Sequence, residues 1–110
     1  MRKLVESNNG HRKIAARNIK YAYEYIVGGY ENMYYDHYLG GDMKKEEFPT
    51  IDEVKAEIYQ CAFDNYYAPG TELSHRAPKE MRFAGREFAK SYIDKLFAQE
   101  DEEWLKQIFN

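Results

Sequence analysis

An all-α fold, a small bundle of about four helices built around one long tyrosine-rich helix, is what this 110-residue sequence predicts. Three observations carry the prediction. Apolar residues recur at helical spacing along most of the chain, and no run alternates in the manner of a half-buried strand. Start signals stand at Thr50 and Asp101, ahead of apolar-periodic segments. Loop signals, GGDMKKEEFP at 40–49 and APGTELSHRAP at 68–78, separate those segments. At this length the chain forms a single helical domain, 1–110, with one core.

The first helix is expected over residues 11–39, after a flexible basic N-terminal segment, 1–10, in which Ser7, Asn8 or Asn9 would supply the cap. At about 100° per residue, Ala15, Ile19, Ala22, Tyr23, Ile26, Tyr30, Met33 and Tyr34 gather on one broad face. His37 falls on the same apolar side. Ile14, Tyr21, Tyr25, Tyr35 and Leu39 make a second face, with Tyr38 at its polar border. Lys13, Arg17, Lys20, Glu24 and Glu31 share the narrow strip that is left. So little polar surface predicts a central helix packed on two sides.

Gly28-Gly29 interrupts this helix and leaves two readings open. Each internal glycine costs roughly 1 kcal/mol relative to alanine, which favours a break. The broad face nevertheless continues in phase to Met33. That favours a continuous, bent helix whose missing side chains admit a neighbouring backbone or ring.

Thr50 followed by Glu53 has the spacing of a capping box, and Ile51, Val54, Ile58, Cys61 and Ala62, then Asn65 or Tyr66, keep register behind it. Pro78 suits the first turn of a third helix over 79–99, where Met81, Ala84, Gly85, Phe88, Tyr92 and Leu96 point one way. Lys79, Arg82, Arg86 and Lys90 point nearly the opposite way, with Glu80, Glu87 and Asp94 in a strip beside them. A terminal helix over 101–109, capped by Asp101, would fold Trp104, Leu105 and Ile108 onto the body.

Composition limits the functional classes. Net charge is −3, yet residues 1–20 carry +5, which leaves −8 for the rest. Such polarity favours charged partners or self-association rather than a dense acidic mimic of DNA. With no long apolar run and no apolar signal segment, a soluble cytoplasmic protein is expected, and no membrane contact. The single cysteine, Cys61, lies on an apolar helix side and reads as a small hydrophobe.

No catalytic constellation is visible. His11, His37 and His75 are scattered and form no zinc motif, so no metal and no cofactor are expected. Asp36 and His37 are helix neighbours that point about 100° apart, too far for an orienting contact. The serines lie in no nucleophile elbow, and VGGY lacks the spacing of a phosphate loop. The reading is therefore non-enzymatic; a site around His37, Glu24 and Glu31 is the one catalytic alternative.

Surfaces remain. The stripe Lys79, Arg82, Arg86 and Lys90, led by Arg76 and flanked by Phe83, mixes cations with a ring as nucleic-acid sites do. The plainer reading is a solvated face laced with pairs such as Lys90 with Asp94. A protein partner comes next. Nucleic acid comes last, because the flanking carboxylates repel phosphates. If the other helices leave the second band of α1 uncovered, Tyr21, Tyr25, Tyr35 and Tyr38 form a sticky patch, extended by Tyr59, Tyr66 and Tyr67, that a homodimer or a partner protein would fill.

The segments GGYEN (28–32), PTIDEVKAEIY (49–59) and FAGREFAKSYI (83–93) resemble small proteins carried by phages and conjugative elements of Gram-positive bacteria. The resemblance spans residues 15–97 and consists of packing motifs. Proteins of that setting include anti-CRISPR factors that bind a nuclease effector and block its nucleic-acid groove or its movement. The resemblance thus implies a bacterial protein as partner, surface residues as the site and no catalytic residue. The modest charge fits a steric or allosteric block.

Overall fold

A computed structural model describes residues 2–64 and 79–110 of the chain. Every regular element among them is helical. α1 runs over Arg2–Met33 and passes into a π-helical turn, Tyr34–Tyr38. After a 3-10 turn at Lys45–Glu47 come α2, Ile51–Asp64, a short α3 at 79–84, α4, Arg86–Ala98, and α5, Glu102–Ile108.

α1 begins nine residues earlier than the sequence predicts. The helix runs through Asn8, Asn9 and Gly10, so no start falls there for Ser7, Asn8 or Asn9 to cap. Ala15, Ile19 and Ala22 are fully buried, and Tyr23, Ile26 and Val27 nearly so, which seats this face on α2 and α4. Gly28-Gly29 does not break the helix. Nor do the two glycines admit a neighbour: a Cβ at either position would meet nothing within 4 Å. The second band is bare, with Tyr21, Tyr25, Tyr35 and Leu39 at least half exposed. Among the described residues, the helices α2 and α4 therefore pack on one side of α1, not two.

The π-turn ends α1 by adding a residue per turn. Leu39 N–H donates to Tyr34 O at 3.0 Å, and Asp42 N–H to His37 O at 3.0 Å. It stacks Tyr34 on Tyr38, with ring centres 5.3 Å apart, and sets Tyr38 edge-on to Phe48 at 6.1 Å. Gly41, at φ +89°, then reverses the chain, a conformation open to glycine and strained for other residues. The stretch that reads as a plain loop conceals a core residue. Phe48 is 2% exposed, and its carbonyl accepts from the Asn110 side chain while Pro49 O accepts Asn110 N–H at 3.1 Å.

α2 starts as its sequence says. Thr50 N–H donates to Glu53 Oε1 at 3.0 Å, and Glu53 N–H donates to Thr50 Oγ1 at 3.1 Å, the reciprocal pair of a capping box. Those bonds hold the Glu53 carboxyl below its usual range. Val54, Ile58 and Ala62 are fully buried. α5 is likewise capped as expected, Asp101 Oδ1 accepting Glu103 N–H at 2.9 Å. Asn65, Tyr66 and Pro78 lie outside the described residues.

The third helix differs from its prediction. Gly85, at φ +95° and ψ 145°, splits it into α3 and α4. Met81, Ala84 and Leu96 are buried as expected, but beyond the break Ala89, Ile93 and Phe97 join Leu96 in the core, with Phe88 and Tyr92 only half-buried. The buried face has moved on by one residue, about 100°. Glu80, expected in a polar strip, is 7% exposed and bonded through Oε2 to His11 Nδ1.

Candidate protein-interaction surfaces

The break at Gly85 divides the cationic stripe. Lys79 and Arg82 stay exposed on α3, facing away from its buried residues. On α4 the shifted phase brings Arg86 and Lys90 to the edge of the buried face, where they meet α2. A groove of about 440 Å³ opens between the two helices, lined by Asp52, Lys55, Ala56, Tyr59 and Gln60 from α2 and by Arg86, Lys90, Ile93 and Asp94 from α4. Its floor is apolar and its rim carries three cations against two carboxylates. Lys55 Nζ lies 3.0 Å from Asp94 Oδ1 and 5.5 Å over the Phe97 ring, so Asp94 pairs with Lys55 rather than with Lys90. Arg86 and Lys90 point into water with their charges uncommitted to any carboxylate of the described residues.

Phe83 does not join that groove. It is 53% exposed and stacks on His11, with ring centres 4.7 Å apart and planes 20° apart. Arg76 lies outside the described residues. Of the α2 residues, Asp52, Lys55, Ala56 and Gln60 were not singled out in the sequence, and Tyr59 was expected in the tyrosine patch instead. The signal was available, since 52, 55, 56, 59 and 60 share one side of a helix whose other side is Val54, Ile58 and Ala62.

Among the predicted tyrosines, Tyr21, Tyr25 and Tyr35 stand on the bare face of α1 at 50%, 61% and 52% exposure, followed by Leu39 at 59%. Tyr38 leaves that face, drawn inward against Tyr34 and Phe48. Tyr59 does not extend the patch: it stacks on Phe63 and lines the α2–α4 groove. Tyr66 and Tyr67 lie outside the described residues.

The residues of the catalytic alternative are not brought together. His37, expected on the apolar side, is exposed, its Nδ1 3.1 Å from Asp42 Oδ1, because the π-turn swings it outward. Glu24 and Glu31 instead border a shallow acidic groove with Glu100 and Asp101, over Tyr23, Val27, Gly28 and Trp104. There the Tyr23 hydroxyl donates to Glu100 Oε1 at 2.6 Å; burial, then that carboxylate, pushes its pKa far up. Tyr30 donates to Glu57 Oε2 at 2.8 Å and is pushed up to about 12, again by burial first. Burial likewise raises the Cys61 thiol to about 11, aided by Glu57 and Asp64. All three shifts favour the neutral, unreactive form. No cluster of three or more His, Cys, Asp or Glu side chains able to hold a metal occurs among the described residues. No helix among them is long and apolar enough to cross a membrane. No protein-family model, curated protein or solved structure matches this chain.

Proposed function

We propose that this protein is a non-enzymatic binding module, an accessory protein of a phage or other mobile element that grips a bacterial protein, a nuclease effector of a defence system, and blocks it sterically or allosterically. The observation that supports this reading best is the α2–α4 groove. It offers an apolar floor of Ala56 and Ile93, the ring of Tyr59, and the cations Lys55, Arg86 and Lys90 at the rim. Such a site takes an acidic segment of a folded protein that also carries apolar side chains. Charge supplies orientation and rate of encounter, and the half-buried ring and aliphatic floor supply affinity.

A DNA- or RNA-binding regulator fits this geometry less well. The cations of the third segment no longer form one line, and Asp52 and Asp94 share the rim with those that remain together. Phosphates would meet those carboxylates on the same rim.

The test is capture from lysates of bacteria with intact defence systems, followed by titration of the captured effector. Arg86→Glu with Lys90→Glu should weaken binding by at least tenfold, with the far-UV circular dichroism spectrum unchanged. Effector binding that ignores both reversals overturns the reading. So does a preference for free nucleic acid, with an affinity that falls steeply as salt rises.

A further inference from the structure

Charge is not spread evenly along the α2–α4 groove. Lys55, in the first half of α2, reaches Asp94 and Phe97, in the second half of α4, with Nζ 3.0 Å from Asp94 Oδ1 and 5.5 Å from the Phe97 ring centre. Asp52 stands one turn before Lys55, so this end of the groove carries one cation against two carboxylates. Tyr59 and Gln60 stand beyond Lys55, toward Arg86 and Lys90, so the other end carries two cations and no carboxylate. Ala56 and Ile93 lie between the ends. Of the three cations, only Arg86 and Lys90 are uncommitted, because Lys55 is already held by Asp94.

The walls decide what form of chain can lie there. Each wall is one helix face, Asp52 to Gln60 on α2 and Arg86 to Asp94 on α4, roughly 12 Å long or two helical turns. An extended segment would lay unpaired N–H and C=O groups over the apolar floor, and no strand exists among the described residues to pair them. A helix satisfies its own backbone and offers apolar side chains three and four residues apart to Ala56, Tyr59 and Ile93. Resting on the reading of this groove as the binding site, we propose that its occupant is an amphipathic helix of the partner protein, seated with its carboxylates at the Arg86–Lys90 end, and that Asp94 is the specificity-determining residue, which holds Lys55 and denies the opposite end to acidic side chains.

Two effects act at that opposite end. Asp52 and Asp94 repel an incoming carboxylate, and Asp94 competes with it for the Lys55 ammonium. The pair is weakly held, since the Asp94 side chain is 66% exposed, and an exposed pair adds little to the stability of a fold. Its consequence is selectivity, because a like charge placed beside the ligand rejects the wrong partner more than the pair supports the right one. A helix acidic along its whole length therefore loses at the Asp94 end what it gains at the Arg86 end.

The experiment is fluorescence anisotropy on the full chain at low salt, with capped alanine- and leucine-based peptides of about 15 residues, long enough for helix to form. One peptide carries glutamates that reach a single end of the groove; the other carries them at both ends, two turns apart. The single-ended peptide should bind the native chain at least threefold more tightly. Asp94→Asn should tighten the double-ended peptide at least threefold and leave the single-ended one within twofold, and Lys55→Met should remove most of that gain. Circular dichroism should be unchanged in both variants. A proline at the centre of the single-ended peptide should abolish binding. Equal tightening of both peptides by Asp94→Asn overturns the proposal, as does a gain that survives Lys55→Met in full, or undiminished binding of the proline peptide. If these fail while single-ended binding is still lost on reversing Arg86 and Lys90, the groove remains a binding site and only its selectivity is refuted. Absence of binding by either peptide overturns both readings together.

Discussion

Replacing Gly85 with alanine opposes the helix that local sequence favours to the one the structure has. In the structure Gly85 sits at φ +95° and ψ 145°, a region that is essentially glycine's alone. A Cβ there meets nothing within 4 Å, so the penalty is purely one of backbone conformation, roughly 1–3 kcal/mol. For a domain of this size each kcal/mol moves the melting temperature by about 4–8 °C. A drop on the order of 10 °C is expected in a thermal melt followed at 222 nm. Gly29→Ala is the internal control, because the same change in a regular helix with equally open space should raise stability by about 1 kcal/mol in dilute solution. Opposite signs at the two glycines are the signature. If Gly85→Ala instead stabilises the protein, residues 79–98 form one uninterrupted helix. Ala89 and Phe97 would then leave the core, and the groove that holds Arg86 and Lys90 beside Lys55 would not exist as described.

Three further outcomes follow from particular contacts. Tyr30 titrates near 12 in the folded chain against 10 unfolded, so its contribution is intact below pH 10 and is lost as pH rises toward 12. Tyr30→Phe should flatten alkaline unfolding in that window, by well under the one-proton limit of about 1.4 kcal/mol per pH unit because solvent screens the exposed Tyr30–Glu57 contact, measured by urea titration at stepped pH. Cys61, held near 11, should react with iodoacetamide at pH 8 on the order of a hundredfold more slowly than in urea, where its thiol titrates near 9; equal rates would mean that the site is open. Gly40→Ala places a Cβ 2.6 Å from the Asp36 carbonyl oxygen and should cost roughly 1–3 kcal/mol by forcing the π-turn apart, read as a lower urea midpoint.

What the sequence makes legible here is whatever is decided within about four residues. The Thr50–Glu53 box, the Asp101 cap and the buried faces of α1 and α2 are local, and each is found where spacing puts it. Phe48 was not legible, because a lone ring between charged residues and a proline gives no period; only its distant partners, Tyr38 and Asn110, make it core. Glu80 was hidden for the same reason, since its burial depends on His11, 69 residues away.

The glycines show where local reading runs out. All are equally visible in sequence, yet Gly85 re-phases a helix, Gly40 and Gly41 close a π-turn, and Gly28 and Gly29 do neither. The difference lies in what surrounds each one in space. That difference decides which surface the chain presents, because one rotation at Gly85 converts a solvated row of cations into a groove wall. The same logic applies to the tyrosines of α1. Their spacing says only that they share a face, and whether that face is core or contact surface depends on how many helices are available to cover it. α2 and α4 occupy one side of α1, and α5 closes the edge near Tyr30 through Phe109. No described helix covers Tyr21, Tyr25 and Tyr35, which stay at least half exposed. The exposure of those rings is thus set by how many helices pack on α1, a quantity that the spacing of residues 21–39 does not carry.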